Sequence, residues 1–335
     1  MADSKILLAH GSGGRLTHGL IKEVLLKNFR NPVLAELSDS AYIGFKEPLA
    51  FTTDSFVVSP LFFPGGDIGK LSVCGTVNDL LMQGARPEYI SLGLIVEEGL
   101  DLRILERITR SIALAAKNEG VCVATGDLKV VEKGAADKIF INTSGIGRII
   151  KNTRLSAENI ACGDRIILTA PIARHGLAVL AKRNELDLGF NIKSDCAGLT
   201  SCLVPLLNKV RGIKFMRDPT RGGVATTLNE AAESARIGIE VWEERIPLTS
   251  RVRAACELLG LDPLYIANEG CALIVVKEKE TARALALLKK YKLSRFARII
   301  GKIVKGHKGE VVLNTAIGTR RIVDMLSGEA LPRIC

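Results

Sequence analysis

The sequence predicts an α/β (α+β) fold of two similar lobes, because short strand-like apolar runs are separated by helical patterns in each half of the chain. Hydrophobic residues make up 47% and glycines number 32, against one Trp and four Tyr. That aliphatic composition fits packed α/β enzymes and not repeats or disordered chains. At 335 residues the chain is long enough for two domains of ordinary size.

In the first half, residues 49–58, 89–96, 121–124 and 138–149 read as strands, with helical patterns at 69–83 and 102–118. The second half repeats this texture. Residues 165–170, 272–276 and 298–303 are strand-like, while 177–184 and 226–235 are helical. The polar stretch 151–164, with Gly163-Asp164, marks the joint. These patterns give an N-terminal domain over 1–150 and a C-terminal α/β domain over 151–325. Residues 326–335 form an expected flexible tail, because Ser327-Gly328 and then Pro332 break any helix. Fully extended, ten residues reach roughly 30 Å, enough to carry the thiol of Cys335 between a partner's site and a pocket on the same chain. Arg333 favours the thiolate of Cys335, the nucleophilic form, and the neighbouring carboxylate opposes it.

Charge and cysteine usage narrow the class. The formal charge is +10, and residues 277–308 hold eleven Lys or Arg against Glu278 and Glu280. Ala282, Leu285, Ala286 and Leu288 recur there at helical spacing, so this is read as the solvated face of a surface helix. Aromatic interleaving and nucleic-acid motifs are lacking, so no nucleic-acid partner is expected; an acidic protein is the better alternative. The start of the chain lacks a signal-peptide pattern and no apolar run is long enough to span a membrane, so a cytoplasmic location with no membrane partner is expected. Eight scattered cysteines form no CxxC pair and are expected to be reduced.

Glycine loops and isolated carboxylates carry the chemistry. His10-Gly11-Ser12-Gly13-Gly14-Arg15 frees backbone amides to approach an anion, with Gly11, Gly13 and Gly14 giving the room. It is not a dinucleotide fingerprint, and residues 65–70 miss the Walker A spacing by one residue. Asp39, Asp54, Asp79 and Asp127 each sit beside small residues and form a candidate magnesium set; singly, each is also a plausible cap or turn residue. Lys129 follows Asp127 by two and is a candidate phosphate partner or base. Arg221-Gly222-Gly223 precedes a helix expected near Ala225, a sound anion cradle. Glu269 precedes the strand at 272–276, at an edge where a carboxylate can face a pocket.

Taken in order, residues 10–14, 52–55, 65–68, 75–80, 84–87, 125–129, 194–197, 218–223, 268–270 and the terminal Pro332-Arg333-Ile334-Cys335 resemble the HypE family of carbamoyl dehydratases, which act in [NiFe]-hydrogenase maturation. Most of these motifs are shared with the wider ATP-binding superfamily of aminoimidazole ribonucleotide synthetase, selenophosphate synthetase and thiamine-monophosphate kinase; the terminal Pro-Arg-Ile-Cys separates the family from its relatives. The resemblance implies a two-domain aminoimidazole ribonucleotide synthetase-like fold, a homodimer paired through the N-terminal domains, and ATP with Mg2+. It implies dehydration of a carbamoyl group on Cys335, loaded by the carbamoyltransferase HypF, to a thiocyanate passed to the HypC–HypD complex. By resemblance, Asp39, Asp54, Asp79 and Asp127 fall at metal and nucleotide positions, and Glu269 and Lys129 are candidates for amide deprotonation. Leu128, Arg174 and Gly198 depart from the family pattern. A small-molecule kinase or synthetase would share every loop without needing the thiol, and a thiol carrier or metal chaperone would leave the aspartates idle.

Overall fold

The computed structural model describes residues 14–20, 41–43, 48–328, 331 and 333–335. The first sheet runs in the order β1 (Ala41–Ile43), β2 (Leu49–Phe56), β7 (Ile139–Ile149), β5 (Ala85–Glu97) and β6 (Cys122–Val131). Within this sheet, among the described residues, β5 and β6 pair in parallel and the other pairs are antiparallel. The crossover from β5 to β6 holds α3 (Leu102–Glu119), the helix expected at 102–118, whose apolar residues lie strongly to one side and whose αL cap is Gly120. A short helix, α1 (Arg15–Leu20), precedes the sheet. The hairpin β3 (Phe62–Phe63) and β4 (Gly66–Asp67) leads into α2 (Ile68–Met82), capped where Asp67 accepts the Lys70 N–H at 3.0 Å and the Ser111 hydroxyl at 2.8 Å.

The second sheet has the order β14 (Arg320–Ile322), β13 (Val311–Asn314), β10 (Gly238–Trp242), β12 (Arg298–Val304), β8 (Arg165–Leu168), β11 (Leu273–Val276) and β9 (Ile213–Arg217). Helices α4 (Arg174–Arg183), α5 (Thr200–Lys209), α6 (Gly223–Ala235), α7 (Ser250–Leu259) and α8 (Thr281–Leu288) accompany it. The interior strand β11, between β8 and β9, reads Leu-Ile-Val-Val and all four residues are buried, as a strand covered on both faces must be. Alternation splits it: Leu273 and Val275 enter a core with α6 and α7, while Ile274 and Val276 enter a core shared with the first domain.

That shared core is organised by α2, which is buried on nearly every side and so has no solvated stripe. Small residues let its neighbours close in. A Cβ on Gly75 would lie 2.9 Å from the Phe56 ring, and one on Gly69 would lie 2.5 Å from the Ile108 carbonyl oxygen. Asn78 on this helix staples the halves together: its amide donates to Ala197 O and Glu269 O at 3.1 Å each, and its oxygen accepts the Leu199 N–H at 3.0 Å.

The surface helix expected within 277–308 is α8, but its buried residues are Thr281, Ala284 and Leu288, with Ala282 and Ala286 exposed. Lys289, Lys290, Lys292 and Arg295 lie exposed beyond it. Among the described residues, no helix is long and apolar enough to cross a membrane.

Candidate functional site

Three chain segments meet at Cys335: the end of β2 with the residues after it, the turn at Arg221 and the loop at Glu269. The residues after β2 pair with the chain end like a short added strand: the Val57 N–H donates to Cys335 O at 3.1 Å and the Ser59 N–H to Arg333 O at 3.3 Å. Arg183 of α4 donates through Nε to Ser59 O at 2.7 Å and also reaches Arg333 O. The described end of the tail is thus docked, without helix or strand of its own. Arg333, which the sequence sets beside the thiol with the neighbouring carboxylate opposing its effect, does not turn to the sulfur. Its guanidinium turns away to Asp137 (2.7 Å) and Val57 O (3.0 Å).

The cation at the sulfur is Arg221, whose Nε donates to Cys335 Sγ at 3.3 Å. Arg221 is held where it is by the turn behind it. Gly222 and Gly223 both have positive φ, +72° and +62°, and a Cβ on Gly223 would lie 2.4 Å from Leu264 O. The pair therefore admits only glycine and opens α6, with its N-terminal amides, beside the site. Burial pushes the Cys335 thiol up to about 11, against the opposing pull of Arg221; Glu269 and Asp54 push it further up. The thiol is therefore protonated at neutral pH in the docked state.

Glu269 and Asp54 complete the cluster. Glu269 is 3% exposed, and burial first, then Asp218, Asp54 and Asp195, raise its carboxyl well above the usual carboxylate range. Its loop hangs on Asp195, whose Oδ2 accepts the Glu269 and Gly270 N–H groups at 3.3 and 3.1 Å. Burial also raises Asp54, while Arg221 and the Ser55 N–H (2.8 Å) hold it down. Asp79 lies farther along the same seam: Thr52, two residues from Asp54 on one strand face, donates to Asp79 Oδ2 at 2.9 Å.

Asp127 and Lys129 do not join this cluster within one chain. They lie on β6, in register with Gly93 and Ile95 on the outer face of the first sheet, whereas α2 and the pocket cover the inner face. Asp127 pairs with Lys129 at 2.8 Å in solvent, and that hydrogen bond lowers its pKa. Leu128 points to the other face of the strand and is 52% exposed. Within one chain Asp127 thus stands apart from Asp54 and Asp79 of the expected set, and among the described residues no three His, Cys, Asp or Glu side chains group as a metal site. Gly11, Gly13 and Asp39 lie outside the described residues. Gly14 sits against the base of the tail, where a Cβ would lie 2.4 Å from Leu326 O.

The sequence assigns no role to His175 or Arg183, and leaves Asn78 and Asp195 inside motifs without a role of their own. None has a spacing signature, because each acts through a residue distant in sequence. The other departures have local explanations. Arg174 donates to Lys193 O at 3.2 Å. Gly198 leaves space for Glu119, whose carboxylate accepts the Thr200 N–H at the start of α5; a Cβ there would lie 2.1 Å from Glu119 Cδ.

Known proteins match both halves. The family model "AIR synthase related protein, N-terminal domain" covers residues 37–149, and "AIR synthase related protein, C-terminal domain" covers 161–314. The carbamoyl dehydratase HypE of Rhodobacter capsulatus is 44% identical over 338 aligned positions, spanning 100% of this chain and 99% of the relative. A crystal structure of a HypE-HypF complex superposes with a TM-score of 0.88 at 44% identity, covering 92% of this chain and 99% of that one. A crystal structure of the hydrogenase maturation protein HypE in complex with ATP superposes at 0.84 with 45% identity, covering 99% and 100%. Identity sustained from end to end, through both domains and the docked tail, shows that the chain belongs to the HypE family of carbamoyl dehydratases.

Proposed function

We propose that the protein is an ATP-dependent carbamoyl dehydratase whose substrate is its own S-carbamoylated Cys335, and that it supplies cyanide ligands for the iron of [NiFe]-hydrogenase. The observation that carries this reading is the sulfur of Cys335 held 3.3 Å from Arg221 Nε beside Glu269 and Asp54. An amide oxygen is a poor leaving group. Its attack on the γ-phosphorus of ATP breaks the bond to ADP and turns that oxygen into a phosphate ester. Loss of the amide protons then forms the C≡N bond while the C–O bond breaks, releasing phosphate and leaving a thiocyanate on sulfur.

Glu269 is the base for this deprotonation. A carboxyl raised by burial is a stronger base once ionised, and its raised pKa brings it nearer the working range. Arg221 opposes the negative charge that develops on the transferring phosphoryl group. The glycine turn at Gly222-Gly223, with the amides of α6, suits the nucleotide phosphates. Asp54 and Asp79 fit Mg2+ in kind and number, since this hard cation takes one or two carboxylates and completes its shell with water and phosphate. When bound, it would neutralise phosphate charge.

A second copy of the chain is the partner that the outer sheet face supports. Phe51, Ile146 and Tyr89 occupy one row across β2, β7 and β5 and are 40%, 40% and 50% exposed. Such an apolar stripe on a sheet needs a cover. If Asp127 and Lys129 serve a pocket, they do so across that face. HypF is the proposed carbamoyl donor and HypC–HypD the acceptor of cyanide.

The test is mass spectrometry after incubation with a HypF carbamoyltransferase, carbamoyl phosphate and ATP. A carbamoyl adduct should appear on Cys335 and on no other cysteine, followed by a product lighter by one water. Cys335→Ala should lose both adducts and keep ATP binding; carbamoylation and conversion persisting in that variant would overturn the reading.

A further inference from the structure

The strand-like pairing of the tail leaves one carbonyl pointing the wrong way. Arg333 O and Cys335 O accept from Ser59 and Val57, so the carbonyl between them, on Ile334, faces the opposite side, and Ile334 is 8% exposed. His175 meets it: Nε2 lies 2.8 Å from Ile334 O. We propose that His175 is a positioning residue, which sets the register of Cys335 against Arg221 and Glu269 by donating to the Ile334 carbonyl.

The proton assignment is forced by the partners. A carbonyl only accepts, so Nε2 carries the hydrogen. In the neutral ring Nδ1 then accepts, and the Ser194 hydroxyl, 2.8 Å away, donates to it. Ser194 Oγ is itself approached by the Cys196 N–H at 2.9 Å, which occupies an oxygen lone pair and leaves the hydroxyl hydrogen for His175. Burial lowers the pKa of His175 and holds it neutral. The Phe63 ring fixes the imidazole plane edge-on, with centroids 5.3 Å apart and planes at 84°.

The next residue supports the same reading independently. A Cβ on Gly176 would lie 3.0 Å from Leu331 Cδ1 and 2.6 Å from Ile266 Cγ2. The first turn of α4 is therefore shaped to receive the tail at two points, a hydrogen bond to Ile334 and a close approach to Leu331. Removing the donor strands a buried carbonyl, and the tail escapes that cost by leaving the pocket.

The inference takes the docked tail of the dehydratase reading as the reacting state, but its test does not depend on turnover. Alkylation of Cys335 by iodoacetamide is followed by peptide mass spectrometry, with the exposed Cys122 and Cys162 as internal references. His175→Phe keeps the ring and removes the donor; Cys335 should react about 5- to 100-fold faster, the range for an unsatisfied buried group. His175→Gln, whose amide N–H reaches the place of Nε2, should return the rate to within a few-fold of the original. Ser194→Ala, which frees the tautomer, should fall between. Reference thiols should not change. Rates within twofold of the original in His175→Phe, or no rescue by Gln, would overturn the proposal, the second because it assigns the effect to ring packing. If His175→Phe does not fold, the other two decide: faster alkylation in Ser194→Ala with Gln near the original supports it, and an unchanged Ser194→Ala overturns it. Normal latching without thiocyanate formation would instead remove the dehydratase reading and leave the latch.

Discussion

The pocket around Cys335 and the outer face of the first sheet both bring carboxylates against a cation, yet they leave those groups in opposite states. In the pocket, burial outweighs Arg221, and Glu269, Asp54 and the Cys335 thiol all move toward their protonated forms. On the outer face, Asp127 has no burial to pay for, and Lys129 moves it the other way. Desolvation is what converts an ordinary carboxylate into a base poised near the working pH. The same residue types therefore suit proton transfer in one place and docking in the other.

The largest expected effect lies in the pocket. Glu269→Gln should slow conversion of the carbamoyl adduct by roughly 10²- to 10⁴-fold, the usual contribution of a positioned base, while carbamoylation of Cys335 continues. In the original protein the conversion rate should rise with pH along a limb set by the raised Glu269 pKa, above the ordinary carboxylate value, because only the ionised form accepts a proton. Single-turnover kinetics across pH would check this. Loss of the limb without loss of rate would move the base elsewhere.

On the outer face the expected effect is on assembly. Ile146→Asp puts a charge in the middle of the apolar row formed with Phe51 and Tyr89. Light scattering should show the original chain at twice its 36.1 kDa mass and the variant as a monomer at micromolar concentration. A desolvated, unpaired charge at the centre of an interface costs about 2 kcal/mol or more, some 30-fold in dissociation constant. Cys335 alkylation should stay as it was. A variant that remains dimeric would remove this face as the contact.

Strand alternation made part of this comparison legible in the sequence. The pattern shows that Asp127 and Lys129 share a face, and that 272–276 is a buried strand. It does not show which face of the first sheet α2 covers, since that depends on the pairing order β2-β7-β5-β6. Asp127 was therefore grouped with Asp54 although the sheet separates them. The thiol, Glu269 and the Arg221 turn were legible because glycine pairs and strand edges are local signals. His175 and Asp195 were not, because a histidine that donates across 159 positions and an aspartate that accepts amides 74 and 75 positions away leave no local trace. The direction of Arg333 was not legible for a similar reason: adjacency to Cys335 says nothing of where a long side chain turns, and this one turns to Asp137.

The smallest expected effect is thermodynamic, and it distinguishes the two regions by sign. A carboxyl whose folded pKa is raised contributes stability that is complete below its unfolded pKa and is lost as pH rises through the folded value. Glu269 is such a group, so the native state bears a cost at neutral and alkaline pH for keeping it. Glu269→Gln removes the ionisable proton while keeping size and hydrogen-bonding capacity. It should stabilise the fold by about 1 kcal/mol at neutral to alkaline pH, with the difference shrinking as the pH falls through the raised folded value and gone once it reaches the ordinary carboxylate range. Asp127 has the opposite sign: its lowered pKa contributes stability above the unfolded pKa, lost as pH falls through the folded one. Because Asp127 and Lys129 are exposed, solvent and salt screen that contribution, and Asp127→Asn should leave the denaturation midpoint unchanged at physiological ionic strength. Chemical denaturation of both variants across pH measures the pair of curves together. Glu269→Gln gaining nothing at high pH would mean that the pocket relaxes to solvate the carboxylate, and the contrast between a desolvated base and a screened surface pair would fail.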